Sequence, residues 1–341
     1  MLLATAADRD RFAAWLSAEL GSAVAVAGAA SPASGGGWSN ETVLVDLAGD
    51  GPARVVVRAK PDGPAMFRDY DVMREYRVLE RLGAQGGPPV PPALAVDPTG
   101  IVLGRPLLVM GYVAGRVPSD DRPSFVEAGW LFEAAPANQS HFAQSLLRAI
   151  HAVHAADWRG LPVARDRDRP LQGEVAWYRA LHDWGAGTSR HPLIERGFAA
   201  VRRDQPPESS PCLLWGDARP ANVIAHGFDV AALLDWELVS VGPAELDIAW
   251  LLEMNRMRTV AAGVPPLPGF PADDAVVAAY QGLAGRALDH FGWYRLFAVL
   301  KMAVLMERHL RTAIARGHLA QDHRLLRDNV ALRRLDELMA P

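Results

Sequence analysis

The amino-acid sequence predicts an α+β fold in which a small antiparallel β-rich part precedes a larger, mainly helical part. Two observations support this prediction: period-2 hydrophobic patterns separated by Gly- and Pro-containing turns occupy the first 112 residues, and helical spacing dominates afterwards. With 341 residues, 50% of them hydrophobic, the chain can bury a sizeable core as one large domain or two packed lobes. We therefore predict an N-terminal lobe over 1–112 and a helical C-terminal lobe over 113–341.

The predicted N-terminal lobe begins with a helix, AADRDRFAAWLSAEL, and continues as an antiparallel meander. A Gly-rich turn in SPASGGGWSN and a second turn over 49–52 separate β-branched runs, which is typical of hairpin-connected strands. In the strand RVVVRAK, alternation places Arg58 and Lys60 on the face opposite Val55 and Val57. At least one cation of this strand is therefore predicted to face away from the core.

A helix and a further strand complete this lobe. The stretch DYDVMREYRVLERL has apolar residues at helical spacing, and Gly83 is predicted to end the helix. Glu75 falls on or beside its buried face, where a carboxylate needs a cationic partner. After a Pro-rich segment, GRPLLVMGYVAGRVP predicts a strand that runs into a turn at Gly115.

The bulk composition excludes several classes of partner. Lys and Arg total 35 against 39 Asp and Glu, a formal charge of -4, so no basic excess indicates nucleic acid or an anionic membrane surface. The N-terminus lacks the pattern of a signal peptide, and no window approaches eighteen uninterrupted apolar residues. A single cysteine, Cys212, excludes an internal disulfide framework. We expect a cytoplasmic protein and leave its oligomeric state open.

The chemistry is concentrated in LLWGDARPANVIAHGFDVAALLDWE, residues 213–237. Two apolar runs flank the turn residues HGFD, which predicts a β-hairpin. Folding this hairpin brings Asn222 and Asp235 side by side at its open end, and Asp217 lies just before, on a loop that contains Pro220. Three oxygen-bearing side chains are therefore predicted to converge on one spot.

An Asn and an Asp that meet without histidine or thiol partners form a hard oxygen site suited to Mg²⁺ with a phosphorylated ligand. Phosphoryl transfer also needs a carboxylate for the attacking hydroxyl, a cation on the phosphates and a loop that covers them. Asp217, either Arg58 or Lys60, and the GGGWSN turn are the candidates for these roles.

These motifs resemble those of the aminoglycoside phosphotransferase-like family of small-molecule kinases, which includes choline kinase-type enzymes. WGDARPAN followed by DWE is similar to its catalytic loop and metal motif, and the likeness extends in order from about residue 30 to about residue 310. The residues of the motifs VVVRAK, REYRVL and LLDWE resemble those of one branch of this family, the branch related to the kinase-like domain of acyl-CoA dehydrogenase family proteins.

The resemblance implies a protein-kinase-like bilobal fold, ATP and Mg²⁺ as cofactors, and a role for each matching residue. Asp217 would be the catalytic base, Asn222 and Asp235 the Mg²⁺ ligands, and Arg219 a contact to the γ-phosphate. Asp247 would brace the catalytic loop. The nucleotide would be held by a Gly-rich turn, a cation with its helix partner, and a hinge, comprising Gly36, Gly37, Ser39, Asn40, Arg58, Glu75, Met110, Tyr112 and Val113.

Two positions depart from the family pattern. Trp215 stands where the family usually has His before the Gly-Asp pair, and Arg58 stands where a strand lysine is usual. An indole retains one hydrogen-bond donor and arginine retains the charge. The leading hypothesis is an ATP- and Mg²⁺-dependent phosphotransferase that acts on a hydroxyl of a small molecule. The alternative is a catalytically silent nucleotide-binding or scaffolding module.

The acceptor is predicted from the segment EMNRMRTVAAGVPPLPGFPADD. Its mixture of Arg256, Arg258 and apolar residues favours a hydroxyacyl-type or other non-cationic acceptor over an aminoglycoside, which is a polycation.

Other residues are expected to be structural. His151 and His154 are predicted to form a polar helix edge without a metal. The tryptophans Trp130, Trp177, Trp184 and Trp250 are predicted to be core residues.

Overall fold

The computed structural model of the chain describes residues 2–32, 40–68, 70–186 and 190–340. They adopt the predicted α+β fold. The N-terminal residues form a five-stranded antiparallel sheet with the strand order β1-β2-β3-β5-β4 and two helices. These elements are α1 (Ala6–Leu20), β1 (Val24–Ala30), β2 (Glu41–Gly49), β3 (Arg54–Ala59), α2 (Val72–Ala84), β4 (Ala93–Asp97) and β5 (Leu107–Gly111).

The remainder of the described chain is mainly helical. Its elements are α3 (Pro136–Ala155), α4 (Pro170–Ala186), α5 (Pro192–Arg203), β6 (Cys212–Leu214), β7 (Val223–His226), β8 (Asp229–Leu233), β9 (Ser240–Gly242), α6 (Glu245–Ala262), α7 (Asp273–Ala284), α8 (Phe291–Ala315) and α9 (Val330–Met339). The long helix α8 is the centre of this part, because α4, α5, α6 and α9 all pack on it. None of the helices among the described residues combines the length and the apolar character needed to span a bilayer.

The predicted alternation in β3 is present. Val55 and Val57 are fully buried in the core between the sheet and α1, which contributes Phe12 and Leu16. Helix α1 has the predicted bounds, because the hydroxyl of its N-cap Thr5 accepts the Asp8 N–H and Gly21 ends it in the left-handed conformation. The opposite face of β3 carries Arg58 toward the rest of the molecule.

Helix α2 continues past its predicted stop at Gly83. It runs through Gly83 to Ala84, and the first left-handed residue beyond it is Gly86, with φ +60°. Glycine signals a helix end when the backbone turns left-handed, and at Gly83 it does not. The apolar face of α2 contributes Val78 and Leu79 to the hydrophobic core of the helical part, so this helix joins the two parts.

The hairpin predicted from the sequence is formed by β7 and β8, which pair antiparallel around Gly227 at φ +61°. A backbone bridge between Arg116 and Ala225, with bonds of 2.9 and 2.8 Å, attaches the hairpin to the segment that leaves β5. Strand β6 pairs with β9 beside it. The loops after β6 and β8 therefore emerge close together, and they carry the predicted functional residues.

The packing of α1 on one face of the sheet gives a test of the N-terminal core. We expect Phe12→Ala, which empties a site with no solvent exposure, to lower the free energy of unfolding by about 3–5 kcal/mol. Ile101→Ala removes an apolar side chain that is 85% exposed and should change it by less than about 0.5 kcal/mol. Urea denaturation measures both values, and equal losses would contradict this assignment of the core.

Candidate functional site

The loop that carries Asp217 is fixed by the carboxylate of Asp247. Asp247, in the first turn of α6, is wholly buried and accepts the backbone N–H groups of Trp215 and Gly216 at 2.7 and 3.0 Å. Gly216 adopts φ +88°, and a Cβ there would lie 2.2 Å from the Leu238 carbonyl oxygen, so only glycine fits. The backbone that leads into Asp217 is therefore set by a buried anchor and a close approach.

The same carboxylate explains the location of His154, for which the predicted polar helix edge is wrong. Instead of lying on a polar helix edge, the imidazole is buried, with Nε2 3.1 Å from Asp247 Oδ2 and Nδ1 2.5 Å from the Tyr280 hydroxyl. Polar groups are buried without great cost when they are hydrogen-bonded. Helical spacing alone could not reveal this role, because Tyr280 and Asp247 come from helices far away in the sequence.

Asp217 is buried and held by three donors. Its Oδ1 accepts the Trp250 indole N–H at 2.8 Å, and Oδ2 accepts Asn222 Nδ2 at 2.7 Å and Arg219 Nε at 2.9 Å. Burial, together with the nearby Asp235 charge, raises the pKa of Asp217 to about 7, against the opposing effect of these hydrogen bonds. A carboxyl group with this pKa is suited to accept a proton.

Trp250 makes a contact in this site that the sequence did not predict. It was predicted to be a core residue, and it is 2% exposed, but its N–H is directed at Asp217. The available signal was spacing: Trp250 lies three residues after Asp247 in α6, so both side chains share one face of the helix. Among the other tryptophans expected in the core, Trp184 is 43% exposed and stacks on the Arg308 guanidinium instead.

Asn222 and Asp235 meet at the open end of the hairpin, as the spacing predicted. The Leu234 N–H donates to the Asn222 carbonyl at 2.8 Å, and Asp235 adopts φ +61°, an unusual conformation for a non-glycine residue. The Asn222 amide nitrogen is used by Asp217, so its amide oxygen and an Asp235 oxygen are the atoms that suit a hard cation.

The donor set fits Mg²⁺. Within the described ranges, no group of three or more His, Cys, Asp or Glu side chains is arranged to hold a metal ion. A cation at Asn222 and Asp235 would therefore take two protein oxygens and complete its shell with water and phosphate oxygens, which is the usual environment of Mg²⁺.

Arg58 is the strand cation that lies in this site. Its guanidinium is 2.5 Å from Glu75 Oε1 and 2.8 Å from Asp235 Oδ1. Burial alone lowers the pKa of Arg58, but Glu75, Asp235 and Glu237 outweigh that effect and keep the group charged. Lys60, the other candidate, is exposed one residue beyond the end of β3.

The predicted Gly-rich turn is represented by one residue. Asn40 is buried, and its side-chain nitrogen donates to Glu237 Oε2 at 3.0 Å, so it contacts the segment just after Asp235. Gly36, Gly37 and Ser39 lie outside the described residues.

The predicted hinge follows directly from the sheet. Met110 is buried in β5 between Val56 and Ala93. Tyr112 and Val113 come just after the strand ends, and the exposed Tyr112 ring lies 5.1 Å below the Arg54 guanidinium.

Trp215, which replaces the usual histidine, joins the two functional loops. Its indole N–H donates to the Leu234 carbonyl at 2.8 Å, and its ring packs 6.2 Å from that of Trp236. Both indoles are almost fully buried. This tryptophan therefore connects the loop of Asp217 to the segment of Asp235.

Arg219 faces a cleft next to Asp217. Besides Asp217, its guanidinium contacts Asp120, whose carboxylate also pairs with Arg258 at 2.5 Å. The cleft is narrow, and Phe125 and Met254 supply apolar walls. Burial lowers the pKa of Arg219 to about 10, which leaves it charged at neutral pH.

Taken together, these residues form one compact polar centre. A buried carboxylate, two hard oxygen donors and a guanidinium lie at the junction of the sheet and the helical part, and a separate cleft opens beside the carboxylate. Such an arrangement can bind a metal-polyphosphate group and orient a hydroxyl for attack on it.

Comparisons with known proteins identify the family and the fold. Residues 31–297 match the family model described as the phosphotransferase enzyme family. A solved structure of a putative aminoglycoside phosphotransferase from Ralstonia eutropha shares the fold, with a TM-score of 0.69 and 21% identity over 96% of this chain and 95% of that one. The predicted protein-kinase-like fold class is thereby confirmed.

Two curated relatives are acyl-CoA dehydrogenase family proteins, as the resemblance of the sequence motifs predicted. Acyl-CoA dehydrogenase family member 10 of Mus musculus is 25% identical over 290 residues, which cover 80% of this chain and 25% of that protein. Acyl-CoA dehydrogenase family member 11 of Gallus gallus is 29% identical over 218 residues, 63% of this chain and 26% of that protein. The chain thus spans about a quarter of the length of these relatives. By the match of its family model over most of its length, the chain belongs to the phosphotransferase enzyme family.

Proposed function

We propose that the protein transfers the γ-phosphoryl group of Mg²⁺-bound ATP to a hydroxyl group of a small, non-cationic molecule. The observation that supports this most strongly is the convergence of Asp217, Asn222 and Asp235 beside the ion-paired Arg58. These are the parts that phosphoryl transfer requires: a group for the attacking hydroxyl, hard metal ligands and a phosphate cation. A cytoplasmic location and a small-molecule partner are part of the same proposal.

In this mechanism, Asp217 orients the acceptor hydroxyl and takes its proton as the new oxygen–phosphorus bond forms. The bond from the γ-phosphorus to the bridging oxygen breaks in the same step, and ADP leaves with that electron pair. Asn222 and Asp235 would hold Mg²⁺, which would supply positive charge against the phosphate oxygens. Arg58, fixed by Glu75, adds a second positive charge that is already in place, so little reorganisation is needed.

The two departures from the family pattern, Trp215 and Arg58, favour an active enzyme over a catalytically silent module. Trp215 bonds to Leu234 and so fills a linking position instead of leaving a gap. Arg58 occupies the strand position and makes the helix ion pair with Glu75. The alternative, a silent nucleotide-binding module, rests on these two replacements, and both have a structural partner.

The cleft beside Asp217 favours a non-cationic acceptor. Arg219 and Arg258 line it with the carboxylate of Asp120 between them, and its other walls include Phe125 and Met254. A polycation such as an aminoglycoside would meet two guanidinium groups there, and like charges brought together cost free energy. A hydroxyacyl group offers an apolar chain and an anionic or neutral end, and the names of the acyl-CoA dehydrogenase relatives agree with that class.

The base is tested with Asp217→Asn, with ADP release measured from Mg²⁺ and ATP against a panel of hydroxy acids, hydroxyacyl thioesters, amino alcohols, sugars and aminoglycosides. We expect turnover to fall by about 10²–10⁴-fold, because the proton acceptor is lost, while calorimetry shows ATP still bound. The matched control Asp229→Asn, on the same hairpin and exposed, should keep wild-type turnover. Wild-type protein that binds ATP but releases no ADP with any acceptor would instead indicate the silent module.

The phosphate cation is tested with Arg58→Gln and Lys60→Gln. Because Arg58 is directed into the site and Lys60 is exposed, we expect ATP affinity by calorimetry to fall about 10- to 100-fold only in the first variant. Arg58→Lys, which restores the residue usual in the family, should recover most of the affinity. An equal loss of ATP affinity in both glutamine variants would show that neither residue alone binds the phosphates.

Charge selection by the cleft is tested with Arg258→Gln against a hydroxy acid and its amide. We expect KM for the acid to rise about tenfold, since a charged hydrogen bond is lost, and KM for the amide to change little. Arg256→Gln is the matched control, because Arg256 lies two residues away on α6 and faces Asp273. An equal rise in KM for the acid and for the amide would show that Arg258 only shapes the cleft.

A further inference from the structure

Lys301 is a buried charge that the proposed mechanism does not use. It lies in the middle of α8 and is only 2% exposed. Lysine is almost never fully buried unless it is paired, so this position calls for an explanation.

The close partners of this ammonium are two aromatic faces. Nζ lies 4.9 Å from the centre of the Tyr178 ring and 5.0 Å from that of the Trp250 ring. A cation at this distance is attracted to the ring face, and the attraction is larger where water is excluded. Burial lowers the pKa of Lys301, and the charges of Glu174, Asp247 and Asp217 oppose that effect.

Trp250 connects this lysine to Asp217. One face of the indole meets the ammonium, and its N–H donates to Asp217 Oδ1 at 2.8 Å. The second carboxylate oxygen is held by Asn222 and Arg219, so the indole is the donor that fixes Oδ1. The plane of the indole therefore sets how the carboxylate is rotated.

A packing role alone does not account for a lysine here. A methionine has nearly the same length, fills the same space and carries no desolvation cost, whereas a buried ammonium is stabilised only by interactions that use its charge. The interactions within reach are the two ring faces and the charges of Glu174 in α4, Asp247 in α6 and Asp217 in the catalytic loop.

We propose that Lys301 is a positioning residue for Asp217: its ammonium holds the Trp250 indole in the orientation that directs the N–H at Oδ1. The same positive charge also offsets the negative charges of Asp217 and Asp247. The proposal rests on the proposed function where it concerns phosphoryl transfer, and on geometry alone where it concerns the indole.

The kinetic test compares Lys301→Met and Lys301→Arg with Arg295→Met, a control on the same helix. Arg295 pairs with Glu253 and Asp273, outside the catalytic loop. We expect Lys301→Met to lower kcat about 10- to 100-fold with KM for ATP within about twofold, because a small misplacement of a reacting group is costly. Lys301→Arg should restore most of kcat, and Arg295→Met should change stability without changing kcat.

A second measurement does not depend on turnover. In protein labelled with ¹⁵N at the indoles, Trp250→Phe identifies the Trp250 resonance, and Lys301→Met should move it to the position of a weaker hydrogen bond. Lys301→Arg should leave it near its wild-type position. If the wild-type protein transfers no phosphoryl group, the proposed function fails and this resonance alone decides whether Lys301 positions the indole.

Two results would overturn the proposal. One is wild-type kcat in Lys301→Met, and the other is an unmoved Trp250 resonance in that variant. If Lys301→Met does not fold, Lys301→Gln takes its place in both measurements, since it also removes the charge while keeping a long side chain.

Discussion

The site depends on one buried carboxylate that satisfies two backbone donors. The N–H groups of Trp215 and Gly216 point into the interior, where an unsatisfied donor would cost about 1–3 kcal/mol, and Asp247 accepts both. Its location in the first turn of α6 suits a negative charge, because the helix dipole is positive there. With the loop fixed in this way, Gly216 takes its left-handed conformation and Asp217 reaches Trp250 on the next turn of the same helix.

Three independent supports bring the polar groups together. Helix α6 fixes Asp217, the hairpin fixes Asn222 and Asp235, and α2 fixes Arg58 through Glu75. Each support comes from a different stretch of the chain, so the correct geometry exists only when the whole domain is folded. Mutual constraint of this kind holds the polar side chains within the small positional tolerances that the proposed phosphoryl transfer needs.

Local patterns predicted most of the elements and the convergence at the hairpin. The spacing of Asn222 and Asp235 about the HGFD turn was sufficient, because pairing in a hairpin is decided by neighbours in sequence. Alternation left the choice between Arg58 and Lys60 open, since both share a face of the strand. The structure separates them because β3 ends at Ala59, before Lys60. The roles of His154, Trp250 and Lys301 escaped prediction because each is defined by partners from distant helices, which no local period encodes.

Helix α8 contacts residues 64–66, which precede α2. Arg308 and Arg316 donate to the carbonyl oxygens of Ala65 and Pro64, each at 2.7 Å, and Phe67 packs on Trp177 of α4. In kinase-like folds, outward displacement of the helix that bears the glutamate partner is a common way to turn activity off. Here such a displacement would first have to release the arginine contacts, so α8 holds α2 in the position that keeps the Arg58–Glu75 pair assembled.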